Sequence, residues 1–128
     1  MRTKISVAIL LAGFLGMSAQ ASTGVSCLIY GKLTQKSTIA GDSKHEYTVV
    51  VKKADDDLAG RNDFKDCRTR FKKGQSIVFS AEQNIDLKHH PRVWLNYKYG
   101  DDRGGARWEG YTFIKQQTYK ERKNGILR

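Results

Sequence analysis

Short runs in which apolar and polar residues alternate make up most of the chain beyond residue 22. Alternation with a period of two predicts strands that bury one face, and the Gly, Asp, Asn and Ser clusters between the runs predict tight connections. Five such runs span residues 27–33, 46–53, 75–80, 92–99 and 108–114. The last two flank a strong turn signal at residues 101–105, so we expect residues 92–114 to form one long hairpin.

A sixth run surrounds the second cysteine of the chain. Cys67, Thr69 and Phe71 alternate there with three cationic residues, Arg68, Arg70 and Lys72. The pattern predicts a strand that buries the thiol on the same face as the phenylalanine and leaves the cations in solvent.

Five or six strands in about 90 residues predict an all-β fold. We expect a small five- to six-stranded barrel of the oligonucleotide/oligosaccharide-binding type (OB-like), or a compact two-sheet β-sandwich, with one disulfide. The preference for the barrel rests on strand number and domain size, because alternation alone does not say how a sheet closes.

The N-terminal residues have the pattern of an export signal. Arg2 and Lys4 precede an apolar run over residues 5–17, and residues 19–21 have the small-x-small pattern of a cleavage site. We therefore predict a signal peptide over residues 1–21 and a periplasmic or secreted protein. An apolar run of roughly a dozen residues is too short to span a bilayer, and we expect no transmembrane segment after cleavage.

The remainder divides into a single β domain, residues 22–114, and a basic C-terminal tail, residues 115–128. The domain has neither a repeat nor a low-complexity stretch, so the sequence gives no sign of a boundary within it. The tail is rich in Lys, Arg and Gln, which leaves a frayed helix and a disordered arm as alternatives.

Cys27 and Cys67 both follow the predicted cleavage site. An even number of cysteines in an oxidising compartment predicts that they pair. The bridge closes a loop of about 40 residues, for which the chain-entropy model gives a stabilisation of roughly 4 kcal/mol. Lipid attachment at Cys27 is the alternative, which we disfavour because this cysteine lies well beyond the apolar run.

The formal net charge of the chain is +10. Without Arg2 and Lys4 of the predicted signal peptide, the mature chain carries about +8. A field of this sign favours an anionic macromolecule or an acidic protein face as the partner. A basic surface that only keeps the protein soluble is the alternative.

The outward face of the run 92–99 carries the most suggestive set of side chains. An aromatic ring on a basic β surface can stack on a base or a sugar while cations hold a phosphate or carboxylate. We therefore predict a ligand-binding surface centred on Arg92, Trp94 and Lys98. Five further residues extend it: Tyr30, Lys32, Arg68, Arg70 and Lys72. Burial of Trp94 in a second core is the alternative.

Two other patterns are weaker. Residues 55–66 partly fit a calcium loop, but Ala59 and Asp66 stand where such a loop needs an oxygen ligand and a bidentate Glu. His45, His89 and His90 could serve acid–base chemistry, but adjacent histidines on an extended chain point to opposite faces. We predict no catalytic residue, no metal ligand and no cofactor.

The sequence thus predicts an exported, non-enzymatic binding module whose basic, aromatic-bearing β surface engages an anionic partner. One alternative is a protein–protein module of the envelope or exterior, such as an enzyme inhibitor, an immunity protein, or a toxin accessory or receptor-binding subunit. The second is a small secreted RNase-like enzyme. The oligomeric state is left open.

Overall fold

The computed structural model describes residues 23–39, 41–102 and 104–127. Within them lie five strands: β1 (Thr23–Thr38), β2 (His45–Asp56), β3 (Ser76–Ala81), β4 (Arg92–Asp101) and β5 (Arg107–Ile114). Two short helices accompany them: α1 (Cys67–Arg70) and α2 (Gln116–Lys123). The predicted signal peptide, residues 1–21, lies outside the described residues.

All five strands belong to one antiparallel sheet in the order β3-β2-β1-β4-β5. The long central strand β1 pairs with β2 on one side and β4 on the other, and the sheet curls into a half-barrel. The predicted all-β fold is confirmed, in the form of a single curled sheet in place of a two-sheet sandwich. The hairpin expected over residues 92–114 is formed by β4 and β5.

The concave face of the sheet holds the hydrophobic core. Buried side chains from all five strands meet there: Val25, Cys27, Ile29, Leu33, Tyr47, Val49, Val51, Ile77, Phe79, Ala81, Val93, Leu95, Tyr97 and Phe113. Aromatic rings form its centre, where Tyr47 and Phe113 meet edge to face with centroids 4.8 Å apart. Burial of this apolar surface is the main stabilising contribution to the fold.

A side chain joins the two edge strands of the half-barrel near one end. The amide of Gln83, which follows β3, donates to the Phe113 carbonyl oxygen of β5 at 3.0 Å and accepts from the Phe113 N–H at 2.9 Å. Gln83 thereby takes the place of a strand at this point, because it satisfies both backbone groups of one β5 residue.

A β-bulge in β2 changes the face that this strand presents. Gly31 pairs with Val51, whereas its neighbour Tyr30 pairs with Lys53, so Lys52 is an extra residue without a cross-strand partner. The bulge shifts the alternation by one residue. As a result Lys53 and the residues at positions 55 and 57 lie on the convex face of the sheet.

The segment around the second cysteine is a helical turn, α1, so the strand predicted over residues 67–72 is wrong. The prediction of burial was nevertheless correct for Cys67 and Phe71, which are 0% and 6% exposed. One turn of helix brings residues four apart to the same side, and a strand does the same for every second residue. Burial of Cys67 and Phe71 on one side is therefore compatible with either structure.

Cys27 of β1 and Cys67 of α1 form the predicted disulfide, with a Cα–Cα distance of 5.6 Å. Both cysteines are fully buried within the core. The bridge attaches α1, and the loop before it, to the central strand.

The C-terminal helix α2 lies across the convex face. Its Tyr119 is 5% exposed, and Leu28 of β1, which alternates with the concave-face residues Cys27 and Ile29, is completely buried. The residues that hold α2 on the sheet are largely polar, and they build part of the candidate site.

Candidate functional site

The cross-strand pairing places a row of three side chains on the convex face. Lys53 of β2 is paired with Tyr30 of β1, which is in turn paired with Trp94 of β4. Because neighbouring strands lie about 4.8 Å apart, the row extends about 10 Å from the lysine to the tryptophan. The predicted neighbourhood of Tyr30 and Trp94 therefore exists in the structure.

The two aromatic rings of this row stack on each other. The ring centroids of Tyr30 and Trp94 are 5.3 Å apart and the ring planes differ by 28°. Both side chains are only partly buried. Trp94 is therefore not part of a closed second core, and the paired rings present an aromatic surface to solvent.

A cleft opens beside this aromatic pair, between the sheet and α2. It has a volume of about 320 Å³, and its walls are formed by Tyr30, Lys53, Arg92, Trp94, Gln116, Tyr119, Lys120 and Lys123. Four of these residues are cations and three are aromatic, and none of the described Asp or Glu residues lines the cleft. We call it the basic aromatic cleft.

The floor of the basic aromatic cleft rests on a buried carboxylate, Asp55, which is 2% exposed. Its Oδ2 accepts a hydrogen bond from the Tyr119 hydroxyl at 2.6 Å, and its Oδ1 accepts one from Arg68 at 3.1 Å. The ammonium groups of Lys53 and Lys123 lie 3.6 and 4.0 Å from Oδ2. One carboxylate therefore lies among three cations.

The contacts within this group lower the pKa values of Asp55 and Lys123. Burial raises the pKa of Asp55, but the hydrogen bonds from Tyr119 and Arg68, with the charges of Lys123 and Lys53, outweigh burial and hold it below its usual range. The neighbouring Lys53 lowers the pKa of Lys123, although Asp55 acts in the opposite direction. Crowding of the two ammonium groups thus disfavours the charged form of Lys123.

A second buried carboxylate, Asp57, also anchors α2, close to the C-terminal end of the helix. Asp57 is 0% exposed, and its Oδ2 accepts hydrogen bonds from Arg122 at 2.6 Å and from Ser26 at 2.6 Å. Asn96 of β4 donates to the Ser26 hydroxyl at 3.0 Å. A buried, fully paired ion of this kind fixes the position of the helix, because breaking it would leave an uncompensated charge.

Of the other residues predicted for the site, Arg92 lines the cleft and Lys32 lies next to it. Lys32 and Arg92 are paired across β1 and β4, one step along the strands from Tyr30 and Trp94, and both are exposed. Lys98 is separated from this group by the Asn96 position under α2. It lines a different cleft of about 200 Å³, which also contains Trp108.

The three cations expected from the second cysteine region have different surroundings. Arg68 is bound to Asp55 and lies at the far side of the buried carboxylate from the cleft. Arg70 is paired with Asp66 one helical turn earlier. Lys72 is exposed in the loop after α1. None of the three lines the basic aromatic cleft.

Sequence reasoning missed Lys53, Tyr119, Lys120 and Lys123. The alternation up to Val51 gives no sign of the bulge that turns Lys53 outward. The other three residues lie on α2, whose amphipathic pattern is weak because it packs on buried polar groups. The only signal available was Tyr119, a single large aromatic residue within a strongly polar segment.

The histidines and the acidic loop are engaged elsewhere. His45 contacts Thr38, and His89 is paired with Asp86, which raises the pKa of the histidine. Within the described residues, no hydrogen bond or ring contact joins one histidine to another. In the same part of the chain, no three His, Cys, Asp or Glu side chains are grouped so as to hold a metal ion.

Comparison with protein families, with curated proteins and with solved structures finds no match for this chain. The function therefore has to be inferred from the site itself. Among the residues the structure describes, no helix is long and apolar enough to cross a membrane.

Proposed function

We propose that this protein is a non-enzymatic binding module that engages an anionic partner through the basic aromatic cleft. The observation that carries the proposal is the stacked Tyr30–Trp94 pair in a cleft whose charged lining residues are all cations. Because the N-terminal pattern predicts export, we expect the partner in the periplasm or outside the cell.

The arrangement suits a polyanion on physical grounds. Aromatic rings supply stacking contacts, and cations contribute long-range attraction and release counterions from the polyanion on binding. Lys32 lies beside the cleft and extends the positive field along the same face. The overall net charge of the chain has the same sign, so the attraction extends over the whole molecule.

An acidic protein face is the alternative anionic partner. Leu58 is 55% exposed and lies against the C-terminal segment at Gly125, beyond which Ile126 and Leu127 are also exposed. Exposed aliphatic side chains beside cations such as Lys123 are typical of a surface that another protein covers. This alternative predicts one stoichiometric partner that stays bound at moderate salt.

The test is a binding titration of the oxidised protein, without residues 1–21, against a fluorescently labelled oligothymidylate and a sulfated glycan. We expect the logarithm of the binding constant to fall linearly with the logarithm of salt concentration. Loss of the stacking ring in Trp94→Ala should weaken binding about fivefold or more, because stacking contributes about 1–3 kcal/mol per base.

Trp108→Ala is the matched control, because this second tryptophan lies outside the basic aromatic cleft and is 56% exposed. It should bind as the unaltered protein does, and thermal unfolding of both variants separates lost binding from lost folding. Affinity that does not respond to salt, or equal losses in the two variants, would contradict the proposal.

A further inference from the structure

Two ammonium groups in the basic aromatic cleft share a single carboxylate oxygen. Lys53 reaches Oδ2 of Asp55 from β2 at 3.6 Å, and Lys123 reaches it from α2 at 4.0 Å. The same oxygen already accepts the Tyr119 hydroxyl at 2.6 Å. Both lysine contacts are longer than a charge-assisted hydrogen bond, which is about 2.7–2.9 Å.

The carboxylate therefore does not neutralise this pair of cations. Its other oxygen is used by Arg68 at 3.1 Å, so three cations depend on one negative charge. The side chains of Lys53 and Lys123 remain 51% and 37% exposed, and both line the cleft. Their ammonium protons are thus available to an acceptor that enters from solvent.

We propose that Lys53 and Lys123 form a subsite for a phosphate group, and that the ligand carrying it is a nucleotide whose base stacks on the Tyr30–Trp94 pair. This inference rests on the proposed function and specifies the chemistry of the same cleft. The phosphate comes either from the backbone of a single strand or from a free nucleotide.

The charge and shape of the subsite favour phosphate. A phosphate group has several charged oxygens in a tetrahedral arrangement, so different oxygens can accept from the two ammonium groups at once. Negative charge placed between Lys53 and Lys123 also relieves the repulsion that lowers the pKa of Lys123. Along the same row, Tyr30 then lies about one strand spacing from Lys53, and Trp94 about two spacings, or about 10 Å.

The first experiment titrates the oxidised protein with inorganic phosphate while NMR follows the lysine side-chain resonances. We expect phosphate to raise the pKa of Lys123. Lys53→Gln should raise it without phosphate, since the neighbouring positive charge is gone, and should abolish the further response to phosphate. A purely structural pair of lysines would show no response to phosphate, and that outcome would overturn the subsite.

The second experiment compares oligothymidylate, thymidine 5′-monophosphate and a sulfated glycan. Lys53→Gln and Lys123→Gln should each weaken oligothymidylate binding roughly fivefold and lower the salt slope by about one. Lys53→Arg should retain most of the affinity. Lys52→Gln is the matched control, because it removes the same charge from the adjacent residue, which is exposed and does not line the cleft.

The outcomes separate the two proposals. Oligothymidylate binding that needs Trp94 but responds equally to Lys53→Gln and Lys52→Gln would overturn the subsite and leave the proposed function standing. Binding of the sulfated glycan alone, with the same dependence on Lys53, would overturn the assignment to a nucleotide. Failure of all three ligands to bind at low salt would remove both. Tight binding of the monophosphate would identify a free nucleotide as the source.

Discussion

Two individual carboxylates, Asp55 and Asp57, hold the helix α2 on the convex face of the sheet. Asp55 and Asp57 are almost completely buried, and each is paired with a residue of α2 through Tyr119 or Arg122. Buried charges are tolerated only where hydrogen bonds and opposite charges compensate the loss of water. These two aspartates therefore explain why a strongly polar helix packs on the sheet.

Tyr119→Phe should destabilise the fold by about 1.5–3 kcal/mol, the range for a hydrogen bond to a charged group. The hydroxyl donates to Asp55 and helps to lower the pKa of that carboxylate. A group whose pKa is lower when folded contributes stability above its unfolded pKa and loses that contribution as pH falls through the folded pKa.

The variant should therefore begin acid unfolding at a higher pH than the unaltered protein, in the range below about pH 5. Urea unfolding at several pH values measures both effects. A stability difference that is constant from neutral pH down to pH 3 would contradict the role given to Asp55.

At the scale of elements, the bulge between β1 and β2 is what brings Lys53 into the cleft. Gly31 lies opposite it, and a Cβ atom at Gly31 would be 2.6 Å from the Val50 carbonyl oxygen and 2.7 Å from a Val49 methyl group. A glycine inside a strand often marks such a close approach of two backbones.

Gly31→Ala should cost about 1–3 kcal/mol, because the backbone has to move to relieve the clash. Gly110→Ala is the matched control in the same sheet, since nothing lies within 4 Å of a Cβ there, and it should be neutral or slightly stabilising. Chemical denaturation of the two variants provides the comparison. Equal stabilities would show that β1 and β2 do not need this close approach.

The elements that the sequence predicted well are those with uninterrupted alternation. The segments containing Tyr47, Phe79 and Leu95 were expected as strands and are strands, because their period of two reflects burial of one face. The helical turn at Cys67 and the position of α2 were not predicted. Both depend on long-range partners, the disulfide to Cys27 in one case and the buried carboxylates in the other. The local pattern of apolar and polar residues does not reveal such partners.

The candidate site was predicted in part for the same reason. Tyr30 and Trp94 could be placed on one face because each belongs to a regular strand. Lys53 could not be placed there, because the bulge moves it to the opposite face of the sheet from the one that the alternation predicts. Lys123 could not be placed either, because it approaches Asp55 and Lys53 only when α2 packs on the sheet. Lys98 is on the predicted face but lies four residues along β4 from Trp94. The alternation predicts which face a residue is on, but not whether two residues of that face line the same cleft.

At the scale of the whole molecule, the disulfide is the covalent connection between the central strand and the segment that carries α1. Replacing Cys27 and Cys67 together with alanine should lower the free energy of unfolding by about 4 kcal/mol, mainly through the greater freedom of the unfolded chain. Urea unfolding measures this loss. A difference below about 1 kcal/mol would mean that the loop between the cysteines is already constrained in the unfolded state.

The net charge also acts at the scale of the whole molecule. It explains general attraction to a polyanion, but not recognition at one site. The net positive charge attracts any polyanion, whereas the basic aromatic cleft adds the stacked Tyr30–Trp94 pair to its cations. The central claim is that binding occurs at that cleft and not over the basic surface in general.

The chain contains two tryptophans, so the most direct measurement follows their two indole N–H resonances by NMR during titration with oligothymidylate at moderate salt. We predict that the Trp94 resonance shifts in proportion to binding, while the Trp108 resonance stays in place. Binding that shifts the Trp108 resonance alone, or that shifts neither resonance, would contradict the account.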